Sequence, residues 1–155
     1  MSEVPADDAV AALFPGTDPD LVAVIWATVD IDRVVAGIGL ASAELADDPL
    51  LGAAVRLVRP PDSEPIALLE PRTEGLIAAT LARAGEGPAG RYVAAPAGLL
   101  GIGERAAAAG VTLSRVEAGP FGPSVLVLGA PAGPHLVLVD RPAGTVDRPP
   151  GTIDS

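Results

Sequence analysis

The 155-residue sequence contains no cysteine. That excludes a disulfide framework, a thiolate nucleophile and a thiolate metal site. It has one histidine, His135, so no two-histidine metal site and no H-E-x-x-H motif can form. Lysine is absent as well; all ten basic residues are arginine, against 20 acidic ones. The net charge of −10 argues against nucleic acid and anionic membrane as partners. Aromatic residues make up only 3%, so a core must be built from Ala, Val, Leu and Ile. There is no run of about 20 apolar residues to span a membrane. The acidic start, Met1 to Asp8, lacks the positive charge of a signal peptide, which makes the cytoplasm the expected compartment.

What is present is strongly apolar. Hydrophobic residues account for 49% and charged residues for 19%, and the mean hydropathy is +0.43. Such a chain folds around a core of its own. Residues 1–19 read as an N-terminal extension with a short helix after Asp7-Asp8. Residues 141–155 carry three prolines and no apolar period, and read as a flexible tail.

Between these ends the pattern repeats. Leu21 to Val29 is a β-branched apolar run, the mark of a buried strand. Asp30 is placed to cap a helix with Ile31, Val34, Val35 and Ile38 on one stripe, ended by Gly39. Strands are expected over residues 40–46, Ala53–Val58 and Ile66–Leu69, and a helix over Glu74–Ala84. Strand Arg91–Ala95 and helix Leu99–Ala109 follow. Further strands are expected at Val111–Val116, Ser124–Leu128 and Leu136–Val139. The order is β-α-β-β-β, a linking helix, then β-α-β-β-β. This predicts an α+β fold of two tandem modules, 20–71 and 91–140, joined by 72–90. One module cannot cover its own sheet; two side by side form one curved mixed sheet around a cup.

The repeated unit resembles the vicinal oxygen chelate superfamily of glyoxalases and methylmalonyl-CoA epimerases. Ala23 to Ile31 (AVIWATVDI) is similar to its opening H-x-x-x-A-x-x-D-L segment. Ile66 to Pro71 (IALLEP) is similar to the epimerase I-E-L-L-E-P strand. Gly85-Glu86-Gly87, Arg91 and Gly110-Val111 resemble the G-E-G…H-H-I-A-F…A-G-V segment. Gly119-Pro120 and Gly133 to Val139 resemble the A-G-P loop and the closing strand. The resemblance implies a homodimer and a divalent metal held by one side chain from each of four strands. Position by position, those four fall on Ala23, Ala67, Arg91 and Val137. Two methyl groups, an isopropyl group and a cation offer no ligand, so neither metal nor cofactor is expected.

Strand alternation then puts Ile25, Ala27, Leu69, Val93, Ala95, His135 and Val139 on the cup face as well. The expected lining is small and apolar, with Arg91 and His135 as its polar exceptions. Arg91 would bind the anionic group of a mostly apolar metabolite, or pair with an internal acid such as Glu70 or Glu86. His135 is the candidate acid–base group, weighed against a satisfied structural histidine. Tyr92 and Trp26, of opposite parity, are expected to pack under the helices, and Glu70 to sit at the cup rim. Gly98 to Gly103 lacks G-x-G-x-x-G order, and Gly122-Pro123-Ser124 is no nucleophile elbow. Asp7-Asp8 and Asp47-Asp48 read as capping or solvated pairs.

Three functions fit this sequence. The first is a metal-free glyoxalase-like domain that binds a small, mostly apolar metabolite in the cup, with or without an anionic group, as a binding protein or a cofactor-free isomerase or cyclase. The second is a non-catalytic pseudo-enzyme, its cup filled by its own side chains, that acts in protein assembly. The third is an epimerase-like or glyoxalase-like metal enzyme with a different ligand set.

Overall fold

The computed structural model describes residues 6–17, 19–96, 98–128 and 134–140. Four helices and eight strands follow in order: α1 Ala6–Leu13, β1 Leu21–Ala27, α2 Ile31–Ile38, β2 Ser42–Asp48, β3 Ala53–Val58, β4 Ile66–Pro71, α3 Leu76–Ala84, β5 Gly87–Ala94, α4 Ile102–Ala109, β6 Glu117–Gly119, β7 Gly122–Leu126 and β8 His135–Val139. All eight strands form one sheet in the order β2-β3-β4-β1-β5-β8-β7-β6. β1 pairs antiparallel with β5 at the centre, and each joins a parallel partner, β4 and β8. The edge strands β2 and β6 approach each other, so the curved sheet nearly closes.

Because side chains alternate across a sheet, each strand feeds two cores. The concave face carries Ala23, Ile25, Ala27, Ala53, Val55, Leu57, Ala67, Leu69, Tyr92, Leu126, Val137 and Val139, joined by Leu51 and Ile77. The convex face of the second module carries Val93, Ala95, Val125, Val127, Leu136 and Leu138, covered by α4, by Ala9 and Leu13 of α1 and by Phe14 just after it. A smaller convex cluster of Ile31, Val58 and Leu68 lies under α2, with Trp26, Val34, Val35 and Ile66 partly buried around it.

Asp30 caps α2 by accepting from the Arg33 amide at 3.2 Å, and Gly39 ends it at φ +68°. The start of α2 is held from two sides. Glu70 Oε1 accepts from the Ile31 amide at 2.9 Å. Glu86 Oε2 accepts from Thr28 Oγ1 at 2.5 Å, from the Val29 amide at 2.9 Å and from the Arg33 guanidinium. The Thr28 hydroxyl, the Arg33 guanidinium and the Val29 amide together hold the Glu86 carboxyl down to about 2, from 4.5. A depressed carboxylate stabilises the fold above its unfolded value and loses that contribution as pH falls. Glu86→Gln should therefore lower the urea midpoint at neutral pH. It should also flatten the acid limb of the stability curve between pH 4.5 and about 2; an unchanged acid limb would refute this.

Several sequence expectations shift. Residues Val111–Val116 form no strand; only a bridge from Leu113 to Val127 occurs there, and β6 lies further on, at Glu117–Gly119. The helix expected from Leu99 starts at Ile102, because Gly101 at φ +75° turns the chain just before it. β2 runs to Asp48, and β5 begins at Gly87. The capping role read for Asp7-Asp8, the expected 141–155 tail and its small contribution to stability lie outside the described residues and side chains.

Candidate functional site

The concave face is where three strands put Ala23, Tyr92 and Val137 abreast: Ala23 pairs with Tyr92 and Tyr92 with Val137. A neighbouring row runs Leu57, Ala67, Ile25, Gly90 and His135. Gly90 has φ +143°, and a Cβ there would lie 1.9 Å from the His135 carbonyl oxygen, so only glycine lets β5 and β8 meet at this point.

Arg91 and Val93 differ from their sequence assignment. Arg91 pairs with Leu136, and Val93 with Leu138, both on the convex face. Val93 and Ala95 pack there under α1 and α4, and Arg91, half-buried and not without an interaction, shares their side. Tyr92 takes the inward position in its place. The cause is an error of one residue: reading Arg91 as the inward position inverted the parity of the whole strand. A register shift between Leu21 and Ala23 lets β1 and β5 meet in this phase. Ala23, Ile25, Ala67, Leu69 and Val137 do lie together on the concave face. Glu70 points the other way, to the start of α2.

Tyr92 is fully buried. Its ring meets Phe121 edge-on with centroids 4.9 Å apart, and its hydroxyl donates to Asp48 Oδ2 at 2.7 Å. Asp48 Oδ1 accepts from the Leu50 and Leu51 amides at 2.8 and 3.0 Å. One carboxylate thus caps the turn after β2 and fixes the phenol. Burial pushes the Asp48 carboxyl up, opposed by these hydrogen bonds. Burial, then the neighbouring Asp48 charge, push the Tyr92 phenol far up, so it stays protonated. Asp47, read together with Asp48, is exposed and 3.6 Å from Arg72.

His135 is buried too, its Nε2 2.8 Å from Thr80 Oγ1 on α3. The Thr80 hydroxyl donates to the Leu76 carbonyl at 2.9 Å, so it accepts from Nε2–H of a neutral imidazole. Burial lowers the His135 pKa below 6.5. The unfolded chain then binds a proton that the folded one refuses, and stability falls as pH drops through 6.5. Thr80→Val should cost about 2 kcal/mol, because the Nε2–H loses its acceptor in a dry site. Chemical denaturation measures it, and a cost near zero would place His135 in contact with water.

A divalent ion at the centre of this face would need several nitrogen or oxygen donors. Ala23, Ala67 and Val137 offer alkyl groups, and the Tyr92 hydroxyl is already spent on Asp48. The residues do not fit a metal. Among the described residues no cluster of three or more His, Asp or Glu is placed to hold one. No described helix is long and apolar enough to cross a membrane. A polar cleft of about 190 Å³ lies elsewhere, between the α2 start and β2–β4, where Arg56 pairs with Asp32 at 2.8 Å.

Neither a protein-family model nor a curated protein matches the sequence. Solved structures do. Methylmalonyl-CoA epimerase from Mycobacterium tuberculosis is 23% identical, with 80% of this chain and 88% of that chain covered and a TM-score of 0.66. A hypothetical protein from Bacillus halodurans is 18% identical, covers 84% of this chain and 100% of its own, and has a TM-score of 0.63. A variant Streptomyces coelicolor methylmalonyl-CoA epimerase in complex with 2-nitronate-propionyl-CoA is 17% identical, covers 85% and 100%, and has a TM-score of 0.62. At these identities the likeness establishes architecture: this chain is built on the glyoxalase-like, vicinal oxygen chelate fold that the epimerases share.

Proposed function

We propose that the protein is a non-catalytic variant of this fold that works by association through its outer surface. The observation that carries the reading is the place of Tyr92. Its ring lies in the row between Ala23 and Val137, fully buried, and its hydroxyl is committed to Asp48. The residues around it, Ile25, Ala27, Ala67, Leu69 and Val139, have no accessible surface either. Zero accessible area leaves no room for a water-sized probe against these side chains. A ligand pocket of several hundred Å³ would leave part of its lining accessible. The alternative, a small, mostly apolar metabolite held in the cup, requires Tyr92 and Phe121 to leave it, and among the described residues no arginine lies in the concave strand rows to meet an anionic group. His135, neutral and bonded to Thr80, is held as a structural group rather than as an acid–base catalyst.

The test is calorimetric titration of the full chain with methylmalonyl-CoA and propionyl-CoA, with and without added divalent cobalt, up to about 1 mM. No saturable heat is expected. A saturable site with a dissociation constant below about 100 μM would overturn the proposal and restore the ligand-binding cup.

A further inference from the structure

The cleft between the start of α2 and strands β2–β4 belongs to the convex side. Across β3 and β4, Arg56 pairs with Leu68 and Ala54 with Glu70, and Leu68 lies in the convex cluster under α2. Ile31 and Ala54 give the cleft apolar surface, and charged groups stand around it. Four are carboxylates, on Asp32, Glu44, Asp47 and Glu70; two are guanidiniums, on Arg56 and Arg72. Each guanidinium is matched to one carboxylate, Arg56 to Asp32 at 2.8 Å and Arg72 to Asp47 at 3.6 Å. Two carboxylates are left over. Glu70 spends Oε1 on the Ile31 amide and meets no cation among the described residues. Glu44, opposite Arg56 on β2, is exposed and makes neither a hydrogen bond nor an ion pair among them.

We infer that this cleft receives a basic side chain, lysine or arginine, from an extended segment of a partner protein. The inference rests on the reading that the outer surface is the working part, and it names the chemistry of the partner. The two spare carboxylates select a cation, and the net charge of −10 steers a basic partner toward the chain. No three carboxylates converge among the described residues as a metal ion would need. The volume of about 190 Å³ is below the roughly 300–1,000 Å³ of a metabolite pocket. It suits one apolar stem with a charged head. β2 is an edge strand whose outer backbone has no ladder partner among the described residues. An extended chain can add there, which brings its side chains beside Glu44.

Amide NMR titration of the full chain with an acetylated, amidated Ala-Ala-Arg-Ala-Ala peptide, up to about 5 mM, tests it. Saturable shifts should be confined to β2, β3 and the start of α2. The same peptide with glutamine in place of arginine should cause none. Glu44→Gln should weaken binding about fivefold, and added salt should weaken it too. Arg56→Gln should strengthen binding about fivefold, because it releases Asp32 to the incoming cation. Glu104→Gln removes the same charge at an exposed position on α4 and should change binding less than about twofold. Melting temperatures check that the variants fold. Glu44 is exposed and unbonded, so its variant keeps the test open whatever Arg56→Gln does to the fold. No saturable shift, shifts scattered over the surface, equal binding of the glutamine peptide, or equal weakening by Glu104→Gln would each overturn the assignment. So would weaker binding by a folded Arg56→Gln variant. Such a failure would leave the filled cup standing, whereas a thioester bound by the wild type would overturn the filled cup without moving the β2 amides.

Discussion

Tyr92→Ala should destabilise the protein by about 3–5 kcal/mol, a large part of the stability of a domain this size. Two losses add. The ring fills the middle of the concave face, and its neighbours Ala23 and Val137 are too small and too firmly held in adjacent strands to collapse into the gap. Asp48 also loses the hydroxyl that meets Oδ2. Tyr92→Phe separates the two. It keeps the packing and removes only a hydrogen bond to a carboxylate, worth about 1.5–3 kcal/mol. The cavity left by Tyr92→Ala has the shape of a phenol. Added phenol should therefore raise the melting temperature of that variant and leave the wild type unmoved. Unfolding in urea measures the costs. A Tyr92→Ala variant as stable as the wild type would mean that the ring does not fill the cup.

The second large effect is at Asp48, and its sign depends on the replacement. Asp48→Ala strips acceptors from the Tyr92 hydroxyl and the Leu50 and Leu51 amides at once. Buried donors without partners cost about 1–3 kcal/mol each when no water reaches them, and a total loss of about 3 kcal/mol is expected. Asp48→Asn keeps an acceptor for the two amides and a polar atom for the phenol, yet carries no charge. Because burial raises the Asp48 carboxyl, the folded state holds its proton more tightly than the unfolded chain. Stability therefore falls as pH rises from 3.8 through the raised value. Asp48→Asn should be as stable as the wild type, or more so, at neutral pH, and should lack that fall. If Asp48→Asn is as damaging as Asp48→Ala, the carboxylate charge itself holds the phenol.

Much of the architecture was legible because the chain punctuates itself. Asp30 and Gly39 bracket α2, Pro60-Pro61 follows β3, and apolar runs mark β1, β3, β4 and β8. The resemblance puts Ala23, Ala67 and Val137 on one face, and the structure has all three in the concave core. β6 was misplaced because three residues with one alanine, Glu117–Gly119, carry no alternation to read. Arg91 was misplaced because a resemblance fixes position along a strand less firmly than it fixes the strand, and one residue inverts a face. The inverted parity also puts Tyr92 under the helices, although it is the largest side chain near three small ones. The Asp48 contact was beyond the sequence: Asp48 and Tyr92 are 44 residues apart, and nothing local to Asp47-Asp48 distinguishes the carboxylate that turns inward from the one that faces water.

Tyr92 is the only tyrosine in the chain, which makes the filled cup directly observable. The ultraviolet absorbance of phenolate, followed with pH and alongside circular dichroism, reports this one side chain. The structure predicts that no phenolate appears near pH 10 while the fold persists, and that absorbance rises only with unfolding. A reversible titration near pH 10 in the folded protein would show Tyr92 in contact with water, and the concave face would then be an open cup.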